Sequence, residues 1–279
     1  MEKIKDALRK AKADLAVNKN NLAVRGQRST TVVRHKPLVS QEEEILAKLV
    51  YNQENVVELD PKRLENNRIV AHVKTNPASW VFDSLRTQVL QKMEENNWKT
   101  MAIISPTSGS GKTVISINLA ISIAQSPQKT AMLVDFDMRK PRIAQYLGLK
   151  HKKSMNDFLK GTADLSEIIV NPSIPRLTII PTNKPVHKSS ETLSLSKVKN
   201  LIVELKERYE SRIVIFDLPP ILHADDAMVL LPHVDCVLLV VGDGADNEAD
   251  LKQTMRLLDK SNILGVVVNR SEVEPKSYY

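Results

Sequence analysis

The sequence contains little of what builds disulfide scaffolds, metal clusters or membrane spans. Its 279 residues include one cysteine and 4% aromatic residues, while 42% are hydrophobic, so aliphatic side chains must fill the core. The lone Cys236 cannot form a disulfide within the chain, and its place in an apolar run indicates an inert core residue. The apolar runs are far shorter than the roughly 18 to 20 residues that a membrane span requires. Because the first residues also lack a signal-peptide pattern, we expect a cytoplasmic protein.

The excess of positive charge is confined to the beginning of the chain. Residues 1–36 hold ten Lys/Arg and three Asp/Glu, which accounts for the whole formal net charge of +7. The remaining residues hold 30 basic and 30 acidic side chains. The basic balance therefore gives no support for nucleic-acid binding by the core, and we expect no nucleic-acid partner.

A glycine-bearing loop, Ser105 to Thr113, is the stretch around which the chain is organised. It reads S-P-T-S-G-S-G-K-T and departs from the standard pattern at Pro106, where a glycine is usual. An apolar run that fits a strand precedes it, and an apolar segment with helical spacing follows it. Strand, glycine turn, Lys-Thr and helix together predict a phosphate-binding P-loop. A turn that merely joins a strand to a helix is the alternative.

The residue types in this loop predict how it binds a nucleotide. Two glycines let the backbone approach phosphate oxygens, and the helix N-terminus adds a partial positive charge. We expect Lys112 to reach the β- and γ-phosphates of ATP and the Thr113 hydroxyl to ligate Mg²⁺. We also expect the side chain of Lys112 to lie on an exposed loop. The predicted nucleotide contacts are Ser108, Gly109, Ser110, Gly111, Lys112 and Thr113.

From Trp98 onward, continuous apolar runs alternate with amphipathic segments. The predicted strands are Met101–Ile104, Ala131–Asp135, Leu177–Ile180, Ile213–Phe216, Cys236–Val241 and Leu264–Val268. The predicted helices among them are Thr113–Ala124, Pro141–Leu147, Leu195–Tyr209, Asp225–Leu231 and Asn247–Asp259. This pattern predicts an α/β fold, a P-loop NTPase with a mostly parallel sheet covered by helices on both faces. Ligands of such folds bind at the carboxyl ends of the strands.

Acidic residues stand at two of these strand ends. Asp135 and Asp137 are followed by Arg139, and two carboxylates there suit Mg²⁺ coordination and activation of an attacking hydroxyl or water. Helix capping by Asp137 is the alternative. Four apolar residues and then Asp217 form a Walker B pattern, which holds Mg²⁺ directly or through water.

Three polar residues beyond these motifs are further candidates. Asp225 and Asp226 either join the acidic network or, in the case of Asp225, cap the next helix. Asn269 follows the last predicted strand, and its amide can both donate and accept hydrogen bonds at an adenine edge. An ordinary turn asparagine is the alternative.

The motifs S-P-T-S-G-S-G-K-T, D-F-D-M-R-K-P and I-F-D-L-P-P, in this order, resemble those of the bacterial tyrosine kinases of exopolysaccharide and capsule synthesis. The stand-alone EpsG-type autokinases are the most similar group. The resemblance covers roughly residues 77 to 279. This family lies within the MinD/ParA group of P-loop ATPases, which usually has a lysine where this chain has Thr107.

The resemblance implies a Mg²⁺-ATP-dependent kinase that phosphorylates its own tyrosines and thereby regulates polymer synthesis or export. It implies that Asp137 and Asp217 hold Mg²⁺ with Thr113, and that Asp135 activates the acceptor hydroxyl. The implied catalytic residues are Lys112, Asp135, Asp137 and Asp217. Arg139 and Asn269 join the implied nucleotide site, and the implied phosphoacceptors are Tyr278 and Tyr279.

The implied partners are a transmembrane polysaccharide co-polymerase or activator, a protein-tyrosine phosphatase and further copies of this chain. The co-polymerase would hold the protein at the inner face of the membrane. The family's Glu-x-x-Arg-x-x-Arg pattern for ring assembly falls on Trp80, Asp83 and Arg86, so only the arginine agrees. The competing hypothesis is a MinD/ParA-like ATPase that acts as a nucleotide switch on the same partner without phosphorylating protein.

We predict four segments along the chain. Residues 1–36 form a basic tail and linker with a short helix, which is either a docking element or a solvated end. Residues 37–76 form a helical extension, with helices over Ser40–Tyr51 and from Pro61. Residues 77–270 form the P-loop kinase/ATPase domain, and residues 271–279 form a mobile tail that carries the two tyrosines.

Overall fold

The computed structural model describes residues 56–208 and 210–271. Two helices come first, and strands and helices then alternate. The helices are α1 Pro61–Asn66, α2 Pro77–Glu95, α3 Lys112–Ala124, α4 Ile143–Leu147, α5 Met155–Lys160, α6 Leu165–Ile168, α7 Ser189–Leu193, α8 Ser196–Glu207, α9 Asp226–Leu230 and α10 Glu248–Leu257. The strands are β1 Thr100–Ile104, β2 Thr130–Asp135, β3 Leu177–Ile180, β4 Arg212–Asp217, β5 Cys236–Gly242 and β6 Ile263–Asn269. The predicted basic tail, the helix over Ser40–Tyr51 and the tyrosine tail from 272 onward lie outside the described residues.

The six strands form one sheet in the order β3-β2-β4-β1-β5-β6, and every neighbouring pair is parallel. Every residue of β1 to β5 is buried. Such burial is expected when helices cover both faces of a parallel sheet. The predicted α/β P-loop fold is thus confirmed, with a sheet that is entirely rather than mostly parallel.

The strand register brings predicted site residues together at one edge of the sheet. Asp135 at the end of β2 lies opposite Asp217 at the end of β4. On the other side of β1, Gly242 at the end of β5 lies opposite Asn269 at the end of β6. The P-loop leaves the carboxyl end of β1 between these two pairs, at the edge where ligands of parallel sheets bind.

Burial of α3 fixes the position of the P-loop. All of its residues except Val114 are buried, so the helix lies in the core together with its polar side chains. At the same edge of the sheet the rings of Phe136 and Phe216 stack with centroids 5.3 Å apart. The P-loop is therefore held between a buried strand and a buried helix.

The predicted start of α1 is confirmed at its cap. The Asp60 side chain accepts a hydrogen bond from the Lys62 amide at 3.0 Å, and Pro61 occupies the first helical position. Three short helices, α5, α6 and α7, were not predicted, because four to six residues give too few turns for a periodic pattern. Over residues 56–208 and 210–271, none of the helices combines the length and the apolarity needed to cross a membrane.

Candidate nucleotide and phosphoryl-transfer site

The P-loop glycines adopt the backbone conformation for which glycine is suited. Gly109 and Gly111 have φ of +90° and +92°, which side-chain-bearing residues rarely adopt. A Cβ at Gly111 would also lie 2.1 Å from the Nδ2 atom of Asn269. Gly111 is therefore required by its backbone angle, and a side chain there would also displace the amide of Asn269.

Lys112 is buried, and the prediction of an exposed loop position is wrong. It is the first residue of α3 and 8% exposed, and its Nζ donates to Asp137 at 2.8 Å with Asp217 at 3.7 Å. Burial alone would lower the pKa of Lys112, but the charges of Asp217 and Asp137 outweigh it and raise the pKa. The ammonium is therefore held charged by the two carboxylates.

Thr113 and Asp217, two residues of the predicted metal site, lie in direct contact. The Thr113 hydroxyl donates to Asp217 Oδ2 at 2.7 Å. Asp217 Oδ1 accepts from the Ser116 hydroxyl at 3.0 Å. Sequence analysis missed Ser116, although it stands one turn after Thr113 on the same helix face.

Asp135 is fully buried and only half paired. Its Oδ2 accepts from the backbone amides of Arg142 and Ile143, each at 3.1 Å. Its Oδ1 is buried without a hydrogen-bond partner among the described residues. Burial raises the pKa of Asp135 well above its usual range, and the charge of Asp217 adds to the rise. One oxygen of Asp135 therefore remains available for a hydrogen bond that the described residues do not supply.

Asp135 occupies the helix-capping position that the alternative hypothesis gave to Asp137. The carboxylate that accepts the amides at the start of α4 is Asp135, not Asp137. Asp137 instead accepts from Lys112 and from the backbone amide of Lys140, the latter at 3.0 Å. The capping alternative for Asp137 is therefore wrong in this structure.

Arg139 lies against carboxylates, where the prediction placed it at the nucleotide. Its Nε and Nη2 donate to Asp226 Oδ1 at 3.0 and 2.8 Å, and Asp225 is 3.4 Å away. Asp225 makes no capping hydrogen bond through its side chain, so that alternative is wrong too. The pair joins the loop after β2 to the loop after β4.

Asn269 touches the P-loop directly. Its Nδ2 donates to the carbonyl oxygen of Ser110 at 2.9 Å. On the opposite side of the loop, the Ser108 hydroxyl lies 3.5 Å from Nδ1 of the exposed His223. Asn269 therefore holds the P-loop by a hydrogen bond from the end of β6.

Asp246 was missed by sequence analysis, although it lies against the P-loop. It is buried and accepts hydrogen bonds from Thr107, Ser110 and Gly242. The only signal in the sequence is its place in the turn G-D-G-A-D after β5. The predicted Lys112, Thr113, Asp135, Asp137 and Asp217 converge at one point, while the guanidinium of Arg139 pairs with Asp226 and Asp225.

The sequence is similar to those of known proteins. The family model of an AAA domain, AAA_31, matches residues 98–260. The putative tyrosine-protein kinase EpsB of Ralstonia solanacearum is 29% identical over 212 residues, which are 75% of this chain but 28% of EpsB. The chain thus spans little more than a quarter of that relative. The tyrosine-protein kinase CpsD of Streptococcus pneumoniae is 30% identical over 71% of this chain and 86% of CpsD.

The fold has solved counterparts. The kinase domain of the Escherichia coli tyrosine kinase ETK superposes with a TM-score of 0.67 at 23% identity, over 88% of this chain and all of that one. At that identity the structural match supports the fold alone. The assignment to a family rests on the sequence matches to CpsD and to the AAA domain. The chain belongs to the bacterial tyrosine-protein kinase family, within the AAA-domain group of P-loop proteins.

Proposed function

We propose that this chain is a Mg²⁺-ATP-dependent protein-tyrosine kinase that phosphorylates its own C-terminal tyrosines, Tyr278 and Tyr279, and thereby regulates exopolysaccharide polymerisation or export. The observation that carries the proposal is the convergence of one lysine and three aspartates from three separate strand ends beside the P-loop. Nucleotide is assigned to the loop, and phosphoryl transfer to the carboxylates.

The residues present fit Mg²⁺. The Thr113 hydroxyl and the Asp217 carboxylate are already in contact, and both are oxygen ligands of the kind this ion prefers. Among the described residues, no group of three or more His, Cys, Asp or Glu side chains is placed to hold a metal. That fits Mg²⁺, which is bound through one or two carboxylates together with substrate phosphates. When bound, the ion would neutralise charge on the transferred phosphoryl group.

Asp135 is the residue we assign to the acceptor hydroxyl. The phenol oxygen of a tyrosine attacks the γ-phosphorus, the bond from that phosphorus to the ADP oxygen breaks, and the phenol proton passes to Asp135. Asp135 suits this step because its Oδ1 has no partner among the described residues and its pKa is raised by burial. Lys112 orients the phosphates and neutralises their charge.

A neighbouring molecule supplies the acceptor in this proposal. The ten residues from Arg270 to Tyr279 reach at most roughly 35 Å when fully extended, and they follow Asn269, which contacts the P-loop. Reach alone therefore does not choose between the chain's own site and a neighbour's, and mixing two variants decides the point. Phosphorylation would add about −1.5 to −2 charges per tyrosine and weaken docking into an acidic site. The assembly would therefore loosen as it is phosphorylated, and a protein-tyrosine phosphatase would reset it.

Arg86, the residue that agrees with the family's ring-assembly pattern, is bound within its own chain. Arg86 donates to Asp83 at 2.9 Å within one chain, and Asp83 also accepts from Lys74 and Ser122. Arg86 is thus already engaged inside its own molecule. We assign a transmembrane co-polymerase as the partner that brings copies together at the inner face of the membrane, with residues 1–36 as a docking segment outside the 77–270 kinase domain.

A nucleotide switch of the MinD/ParA type is the second candidate. It is favoured by the ion pair between Lys112 and Asp137, because a bound nucleotide must compete for the same lysine. Such a competition would give the free and bound proteins different loop arrangements without any transfer to protein.

Mass spectrometry after incubation with Mg²⁺-ATP separates the two candidates. Phosphate on Tyr278 or Tyr279, with Tyr146 inside the fold unmodified as the matched control, supports the kinase. Mixing a Tyr278→Phe/Tyr279→Phe variant with an Asp135→Asn variant that keeps its tail should place phosphate on the latter if transfer is between molecules. ATP hydrolysis with both tyrosines unmodified, even with the membrane partner present, would contradict the kinase and support the nucleotide switch.

A further inference from the structure

A carboxylate that the proposed chemistry does not use is buried against the P-loop. Asp246, 6% exposed, lies four residues beyond the end of β5. Its Oδ1 accepts from the backbone amide and the hydroxyl of Thr107, at 3.1 and 2.5 Å. Its Oδ2 accepts from the Ser110 hydroxyl and the Gly242 amide, both at 2.7 Å. Four donors thus converge on one side chain, and three of them belong to the P-loop.

The backbone before Asp246 is packed tightly against the P-loop. A Cβ added to Gly242 would lie 2.9 Å from Ser110 Cα, a backbone atom that cannot give way cheaply. The carbonyl oxygen of Ser110 is held in turn by Asn269 at 2.9 Å. Ser110 is therefore fixed through its hydroxyl, its Cα and its carbonyl by the ends of β5 and β6.

A negative charge beside a site for polyphosphate needs a reason, because it repels the ligand. An ionised carboxylate accepts about four hydrogen bonds, whereas an asparagine offers one acceptor oxygen and two donors. No neutral side chain of this size could satisfy all four donors. None of the four is a backbone amide of residues 108–113, so the loop is held without using the groups that face phosphate.

We propose that Asp246 is a positioning residue that keeps the P-loop in its phosphate-binding shape before nucleotide arrives. The inference rests on the proposed function, since it requires that this loop binds ATP. Without the carboxylate, only a fraction of molecules holds the competent loop, and the apparent Kd rises by the inverse of that fraction. At saturating ATP every loop is in the bound shape, so kcat stays the same.

The test compares Asp246→Asn with Asp243→Asn in the full chain. Both remove one negative charge from the same turn, but the Asp243 side chain makes none of the four hydrogen bonds. Titration with a fluorescent ATP analogue and Mg²⁺ gives Kd, steady-state turnover gives KM and kcat, and thermal unfolding reports the folded fraction. Asp246→Asn should raise Kd and KM by about tenfold with kcat within roughly twofold, because bonds to a buried charge are lost. Asp243→Asn should match the parent.

The outcomes separate this inference from the proposed function. A parent chain that does not bind the nucleotide would overturn the function and this inference with it. A parent that binds, together with an Asp246→Asn Kd equal to the parent's, overturns only the inference. A lowered kcat at unchanged Kd also overturns it, since that is the result of a smaller folded fraction.

Two further variants extend the test, and the first of them keeps it decisive if Asp246→Asn does not fold. Thr107→Val removes one hydroxyl donor and leaves the carboxylate, and it should raise Kd several-fold; an unchanged Kd counts against the inference. Ser110→Ala provides the coupling test, because Asp246 acts partly through that hydroxyl. The effect of Asp246→Asn should be smaller in the Ser110→Ala background than in the parent.

Discussion

Replacing Lys112 by methionine should lower the free energy of unfolding and should also abolish nucleotide turnover. The side chains of Lys112 and Asp137 are 10% and 8% exposed and 2.8 Å apart. At an effective dielectric constant of about 20, the attraction across that distance is roughly 6 kcal/mol, and the cost of removing both charges from water offsets much of it. Removing one partner leaves a buried charge without compensation, which costs about 3 kcal/mol or more.

The size of this loss is large compared with the stability of the domain. Small domains unfold with about 5 to 15 kcal/mol, so Lys112→Met should remove a substantial fraction of the total. For a domain of this length the midpoint of thermal unfolding should fall by roughly 6 to 12 °C. Loss of activity in this variant therefore has to be corrected for its folded fraction before it is assigned to chemistry.

A second substitution, Asp137→Asn, should have opposite effects on stability in the parent and in the Lys112→Met variant. In the parent, Asp137→Asn removes the nearer carboxylate but leaves Lys112 with Asp217 at 3.7 Å, so the loss should be smaller than for Lys112→Met. In the Lys112→Met background, Asp137→Asn removes a carboxylate that has lost its partner and should raise stability. Urea unfolding of the four proteins measures the cycle. An Asp137→Asn substitution that destabilises both backgrounds equally would refute the charge-balance reasoning.

Three further outcomes are expected. Asp135→Asn should lower phosphoryl transfer by about a hundredfold or more while ATP affinity changes little, because a general base acts on the acceptor and not on the nucleotide; equal losses in both, measured by titration and turnover, would contradict this role. Cys236 should resist thiol reagents until the protein unfolds, because burial, aided by the charge of Asp235, raises its pKa to about 12; labelling at neutral pH under native conditions checks it. Burial would raise the pKa of Asp235, but hydrogen bonds from Lys206 and from the amides of Lys99 and Thr100 together lower it below 3.8. Asp235→Asn should therefore be less stable than the parent at pH 7, as measured by urea unfolding. The difference should shrink as the pH falls below about 3.8, because protonation of Asp235 removes its stabilising contribution from the parent. A difference that stays constant with pH would contradict this expectation.

The fold could be read from the sequence because its signals are local. Each buried parallel strand is a continuous apolar run, and the predicted bounds of β1 to β6 differ from those in the structure by at most one residue at either end. The short helices α5 and α6 have too few turns for a periodic apolar pattern, but each carries a capping signal at its first turn. Ser154 with Asp157, and Asp164 with Glu167, form capping boxes three residues apart.

The candidate site could be predicted as a set of residues but not as a set of contacts. The motifs place Lys112, Asp135 and Asp217 at strand ends, and the rule for parallel sheets brings those ends together. Which carboxylate pairs with the lysine depends on loop geometry over 25 residues, and the hydrogen bonds of Asp246 to Thr107 span 139. No local pattern carries such information, so the burial of Lys112 and the role of Asp246 emerge only from the structure.

The arrangement of charge links the resting structure to the proposed reaction. In the free protein, Lys112 is the cation within the Asp135, Asp137 and Asp217 cluster, and it is held there by the same carboxylates that the reaction needs. A nucleotide that draws Lys112 toward its phosphates must leave those carboxylates with another positive charge, and Mg²⁺ is the ion that we propose for Thr113 and Asp217. Nucleotide without the ion should therefore bind much more weakly than nucleotide with it, because it would draw away the lysine that is paired with those acids. The requirement for both together follows from the burial of Lys112, which the P-loop motif alone does not reveal.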